Sequence, residues 1–115
     1  MTRIKRGTIT KKRHKRLLKQ TKGFWGQRKN VFKRAKETLL RAMAFAFKSR
    51  KLRKRDMRSL FITRINAACS EFGTSYNKFI AGLKKADIQL NRKMLSQLAI
   101  YDKAAFAELI EATKG

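Results

Sequence analysis

Residues 1–58 carry 23 lysines and arginines against two acids, a net charge of +21. A segment so charged repels itself and does not condense alone. It needs a polyanion. Nucleic acid is the partner whose phosphates turn such charge into affinity, through counterion release. Anionic membrane surface is the rival. Residues 59–115 differ sharply: 8 basic and 5 acidic residues leave only +3. The 115-residue chain therefore reads as a basic extension over 1–58 and a compact domain over 59–115.

Within the extension, residues 1–22 are basic and almost without apolar spacing. Thr8 and Thr10 are candidate caps for a short helix running to about Lys22, with Gly23 as its stop. Without a partner this segment is expected to be disordered. Gly23-Phe24-Trp25-Gly26 then sets two aromatics between two glycines. Two readings stand for them: stacking against RNA where the backbone turns, or a hydrophobic hinge between helices. From Gln27 to Phe72 there are 46 residues with neither glycine nor proline, which predicts one long helix. Phe32, Ala35, Leu39, Ala42, Met43, Ala46 and Phe47 recur at steps of three and four and form a narrow, alanine-rich stripe among cations. The stripe nearly vanishes over 50–58. A helix that polar needs something other than a protein core to lean on.

From Leu60 the pattern becomes that of an ordinary helical domain. Phe61, Ile65, Ala68, Cys69 and Phe72 mark one face, and Gly73 ends the helix. Thr74 or Ser75 caps a second helix with Tyr76, Phe79, Ile80 and Leu83 inside. Asp87 to Leu90 is a connector. Asn91 caps a third helix carrying Leu95, Leu98 and Ala99, and Asp102 caps a fourth carrying Phe106, Leu109 and Ile110. Strand signals are poor, so the fold class is all-α: a long basic N-terminal helical extension followed by a small C-terminal helical globular domain.

Chemistry for catalysis is missing. The one histidine, His14, lies amid cations, which excludes the usual zinc finger and a Ser-His-Asp arrangement. No phosphate-binding glycine motif occurs. Cys69, beside Ala67 and Ala68, reads as a small buried hydrophobe, and one cysteine excludes an internal disulfide. Glu108 and Glu111 read as a solvated face. The chain is expected to be no enzyme, with no catalytic residue, metal, cofactor or small-molecule substrate. No run reaches the roughly 18 apolar residues of a membrane span, and the N-terminus lacks the apolar core of a secretory signal. Arg50, Arg53, Lys54 and Arg58 line one side of the predicted helix, with Lys51 and Arg55 on a neighbouring side. Charges on several sides point to insertion between nucleic-acid strands, whereas a duplex-groove reader keeps one basic and one apolar face.

Lys54-Arg55-Asp56-Met57-Arg58-Ser59-Leu60-Phe61-Ile62-Thr63-Arg64-Ile65-Asn66 resembles the signature of the bacterial-type large-subunit ribosomal protein L-twenty family. The opening Arg3-Ile4-Lys5-Arg6-Gly7 is similar to that family's start, as are His14 in its basic run, Lys19 to Lys22, and Gly26 with Arg28. So are Ser75-Tyr76-Asn77-Lys78-Phe79-Ile80, Gly82-Leu83-Lys84-Lys85 and Asn91-Arg92-Lys93. The family usually has tryptophan where Phe61 stands. The resemblance spans nearly the whole chain. It implies a basic helical extension threading into large-subunit ribosomal RNA, a globular helical domain on the RNA surface, and a role in early assembly of the subunit. Its implied partners are that RNA and neighbouring large-subunit ribosomal proteins, with no membrane. A start without a transit peptide suits a ribosome of the bacterial cytoplasm or the plastid stroma.

The residues expected to meet RNA are Arg3, Lys5, Arg6, Lys11, Lys12, Arg13, His14, Lys15, Arg16, Lys19, Lys22, Trp25 and Arg28 before the long helix. On that helix they are Arg50, Arg53, Lys54, Arg55, Arg58, Arg64 and Asn66, and beyond it Lys84 and Lys85. The remaining rivals are a DNA-compacting protein, which would bind duplex DNA as well as structured RNA, and a membrane-active helix. The charge split also yields a folding prediction. A fragment of residues 60–115 should be helical alone, whereas residues 1–58 should not melt cooperatively without a polyanion. Circular dichroism of the two fragments checks this.

Overall fold

The computed structural model describes residues 3–114. It contains five α-helices: α1 (Gly7–Gln20), α2 (Phe32–Glu71), α3 (Tyr76–Lys85), α4 (Arg92–Tyr101) and α5 (Lys103–Ala112). A single 3-10 turn over Gly26–Lys29 stands between α1 and α2, and no strand occurs among the described residues. The all-helical expectation holds. The chain divides into two compact units, one reaching Arg50 and one starting at Lys51, and α2 contributes to both.

In the first unit α1 folds back on the start of α2. His14 stacks on Phe32 with ring centroids 3.8 Å apart and planes 20° from parallel. Ala35, one turn further along α2, is fully buried. Thr21, also fully buried, ties the turn: its hydroxyl donates to the Leu18 carbonyl at 3.2 Å and to the Lys29 carbonyl at 3.3 Å. That second contact bears on where the long helix begins. A single helix from Gln27 is not what forms. The chain makes a 3-10 turn through Lys29, passes Asn30 and Val31, and starts α2 at Phe32. The Lys29 carbonyl is engaged by Thr21 just where a continuous helix would use it in its own ladder. Gly23 and Gly26 take φ of +89° and +58°, so the two glycines do break the chain. The threonines of α1 are not its caps. The helix begins at Gly7 behind Arg6, with no side-chain cap, and both Thr8 and Thr10 fall inside its first turn.

α2 has 40 residues, about 60 Å of helix at 1.5 Å per residue. Of the apolar stripe, Ala35 is buried and Phe32 and Leu39 are half-buried; Ala42, Met43, Ala46 and Phe47 stay exposed. Every residue from Leu40 to Leu60 is exposed.

In the second unit the end of α2 packs with α3, α4 and α5 around Ile65, Ala68, Cys69, Phe79, Leu83, Leu95, Ala99, Phe106 and Ile110. Each of these sits at a spacing that the periodicity marks as inward. Phe79 and Phe106 meet at 5.3 Å in a tilted pair. Tyr76, Ile80, Leu98 and Leu109 close the edge, and so do Ile88 and Leu90 of the segment read as a mere connector. Phe72 falls in the turn after α2 and reaches Phe106 at 6.3 Å. Burial pushes the Cys69 thiol up to about 11, so it stays protonated as a small core residue.

Local capping follows the residue chemistry. Ser75 Oγ accepts from the Lys78 N–H, Asn91 Oδ1 from the Met94 N–H at 2.9 Å, and Asp102 Oδ1 from the Ala105 N–H at 3.0 Å. The ends of α2 and α3 share one motif. Thr74 N–H returns to the Cys69 carbonyl and Gly73 N–H to Ser70, while Ile88 N–H returns to Leu83 and Asp87 N–H to Lys84. The left-handed position is Gly73 in the first and Asp87, at φ 52°, in the second.

Gly82 is where α3 meets the end of α5. A Cβ there would stand 2.5 Å from Thr113 Cβ and 2.7 Å from the Thr113 carbonyl oxygen. Backbone has to move to admit it. We expect Gly82→Ala to destabilise the second unit by about 1–3 kcal/mol, despite alanine's better helix propensity. Thermal unfolding of the full chain reads this directly, and a variant as stable as the parent contradicts the tight approach.

Candidate nucleic-acid interface

Nearly all cations singled out from the sequence are exposed. Arg3, Lys5 and Arg6 lie ahead of α1, and Lys11, Lys12, Arg13, Lys15, Arg16 and Lys19 stand out from it. His14 is the departure: it is half-buried against Phe32, so it positions α1 besides carrying any contact of its own. Lys22 and Arg28 are exposed in the turns between the helices. Trp25 is 93% exposed while Phe24 is half-buried. The hinge role therefore falls to Thr21 and Phe24, and the indole is left open for stacking.

Arg50, Arg53, Lys54, Arg55 and Arg58 occur in the stretch of α2 where every side chain is exposed. Like charges three and four residues apart, such as Arg50 with Lys54 and Lys54 with Arg58, each cost roughly 0.2–0.5 kcal/mol. Acids could offset this, but among the described residues Arg50, Arg53, Lys54, Arg55 and Arg58 close no ion pair with one. Polyphosphate would relieve the repulsion, and it can approach this stretch from several sides.

In the second unit, Arg64 and Asn66 are exposed on the last turns of α2. Asn66 lines a shallow cleft of about 340 Å³ with Ile62, Thr63, Ser75, Tyr76 and Asn77. Arg92 Nε donates to the Tyr76 hydroxyl oxygen at 2.9 Å, which holds the ring at the edge of the cleft. Asn77 and Arg92 are absent from the sequence-derived set. Only packing of α3 and α4 against α2 shows what they adjoin, although both stand in motifs that the resemblance marks. Lys84 and Lys85 are exposed in the last turn of α3, where they also complement the helix dipole. Among the described residues no group of three or more His, Cys, Asp or Glu side chains could hold a metal ion, and no helix is long and apolar enough to cross a membrane.

An all-helical chain with one long helix, cationic and exposed from Leu40 to Leu60, and a small packed helical unit defines a structural class of protein and not a catalytic one. The family model for ribosomal protein L20 matches residues 3–109. Three bacterial relatives, each named large ribosomal subunit protein bL20, align over 114 residues, or 99% of this chain. They are those of Caldanaerobacter subterraneus subsp. tengcongensis at 52% identity, Clostridium novyi at 54% and Natranaerobius thermophilus at 48%, with 96%, 96% and 97% of their own lengths covered. The chain belongs to the ribosomal protein L20 family, whose members are structural and not enzymatic.

The exposed run of α2 gives a prediction. Changing Arg53, Lys54, Arg55 and Arg58 together to glutamine keeps helix propensity and removes four charges. If all four meet phosphates, the slope of log affinity against log salt for structured RNA should become shallower by about 3. The circular dichroism of the second unit should not change. A filter-binding salt titration checks both the slope and the affinity.

Proposed function

We propose that this chain, a structural component of the large ribosomal subunit, binds large-subunit ribosomal RNA directly and promotes early assembly of the subunit. The observation that carries the reading is the exposed, cationic stretch of α2 from Leu40 to Leu60, which has no protein core of its own. Phosphates of converging RNA helices neutralise it, and the helix in turn holds those RNA elements at a set distance. α1, the Gly23–Gly26 turns and exposed Trp25 add cations and a stacking surface at one end. The preformed second unit, with Arg64, Asn66, Lys84 and Lys85 outward, supplies a docking face that needs no ordering on binding. A protein that neutralises junctions acts early, because later folding of the RNA needs its phosphates already screened. The ribosome is that of a bacterium, as for the relatives, and neighbouring large-subunit proteins are further contacts.

Sedimentation of lysate from cells making a tagged version tests the reading. The protein should appear in the large-subunit peak and in lighter large-subunit precursors, and should resist a moderate salt wash. Depletion should leave incomplete large subunits. Recovery at the top of the gradient, or with bulk DNA, refutes it.

A further inference from the structure

Arg28, Arg34, Glu37, Thr38, Arg41 and Phe45 line a groove of about 890 Å³ in the first unit. Positions 34, 37, 38, 41 and 45 recur at helical spacing, so they share one face of α2. The 3-10 turn brings Arg28 to them. Phe45 is 59% exposed. Thr38 is spent internally, its hydroxyl donating to the Arg34 carbonyl at 2.8 Å.

Glu37 is what makes the groove unlike a plain phosphate track. It is the only acid in the first 55 residues. It stands three residues after Arg34 and four before Arg41, the spacings at which helical ion pairs close. Yet among the described residues it closes one with neither. A carboxylate facing phosphates is repelled, so in an RNA-binding groove it is costly unless it meets hydrogen-bond donors. RNA offers donors on its 2′-hydroxyls and on its base edges, and only a base edge sets two side by side to meet both oxygens of a carboxylate. Guanine presents two adjacent donors, N1–H and the N2 amino group, matched to the two oxygens of one carboxylate. Adenine and cytosine set a ring acceptor beside their amino group, and uracil sets carbonyls on both sides of its N–H. An acidic protein segment would satisfy the arginines but would oppose Glu37.

We infer that this groove takes one unpaired guanosine of RNA. Its ring lies over Phe45, its Watson–Crick edge meets Glu37, and its flanking phosphates meet Arg28, Arg34 and Arg41. The inference rests on the RNA-binding reading above and adds a base-specific contact to it.

The test uses the full chain and three RNA hairpins that differ in a single bulged nucleotide: guanosine, inosine, which lacks the N2 amino group, or adenosine. The parent should bind the guanosine hairpin about tenfold more tightly than the inosine one, the scale of a hydrogen bond to a charged group. Glu37→Gln, which replaces one acceptor oxygen by a donor, should bring that ratio close to one without weakening binding to the inosine hairpin. Phe45→Leu should weaken binding to every bulged hairpin several-fold while leaving an unbulged duplex unaffected. Both side chains are exposed, so the fold is kept, and circular dichroism verifies it. Binding by the parent without preference between guanosine and inosine overturns this inference alone, as does a preference that survives Glu37→Gln. Failure to bind any of the hairpins overturns the RNA-binding reading with it.

Discussion

Electrostatic self-repulsion along α2 is the constraint on which the molecule turns. An isolated helix with cations three and four residues apart on several sides loses stability at each pair, and ordinary surface helices answer with acids on the same faces. Here, acids are nearly absent before Glu71; Glu37 and Asp56 are the two. The cationic middle of α2 is anchored by structure at either end of the helix instead. On one side the His14–Phe32 stack holds α1 against its first turn. On the other, Ile65, Ala68 and Cys69 belong to a packed core. The cations of residues 48–58 are all exposed.

That division of labour explains why the second unit is almost neutral. A domain of this size has a thin margin of stability. It builds its core from inward faces of four helices, the residues Ile65, Phe79, Leu95 and Phe106 being essentially inaccessible. Side-chain caps at Ser75, Asn91 and Asp102 and tight reversals at Gly73 and Asp87 set where each helix starts and stops. Among the described residues one buried side-chain polar atom is left out of this order: the Ser96 hydroxyl has no hydrogen-bond partner there. Nothing in the surrounding helices explains it.

The proposed RNA interface is graded. In it, point charges that would recognise phosphate regardless of sequence are the most numerous groups, and exposed Trp25 and Phe45 would add planar surfaces for unstacked bases. Architectural binding of this kind draws little from shape complementarity in a pocket. It depends on where the helices hold the charges.

The sequence by itself determined the class and most of the fold, because each depends on local or summed quantities. Net charge is additive, so the basic half is legible without coordinates. Helical periodicity repeats over short spans, so the faces of α3, α4 and α5 and the inner face at the end of α2 were readable, and capping chemistry marked the starts of three helices. The family was legible for the same reason, in runs such as Lys54–Asn66. Tertiary structure decided what depends on contacts between distant residues. Thr21 reaches the Lys29 carbonyl and shifts the start of α2 to Phe32. His14 becomes a packing partner of Phe32. Ile88 and Leu90 of a supposed connector join the core, and Gly82 proves to be a close approach to Thr113. The same holds for the groove between Arg28 and Phe45 and for the cleft at Asn66. No periodicity encodes such pairs, since their members meet only after the chain has turned back on itself.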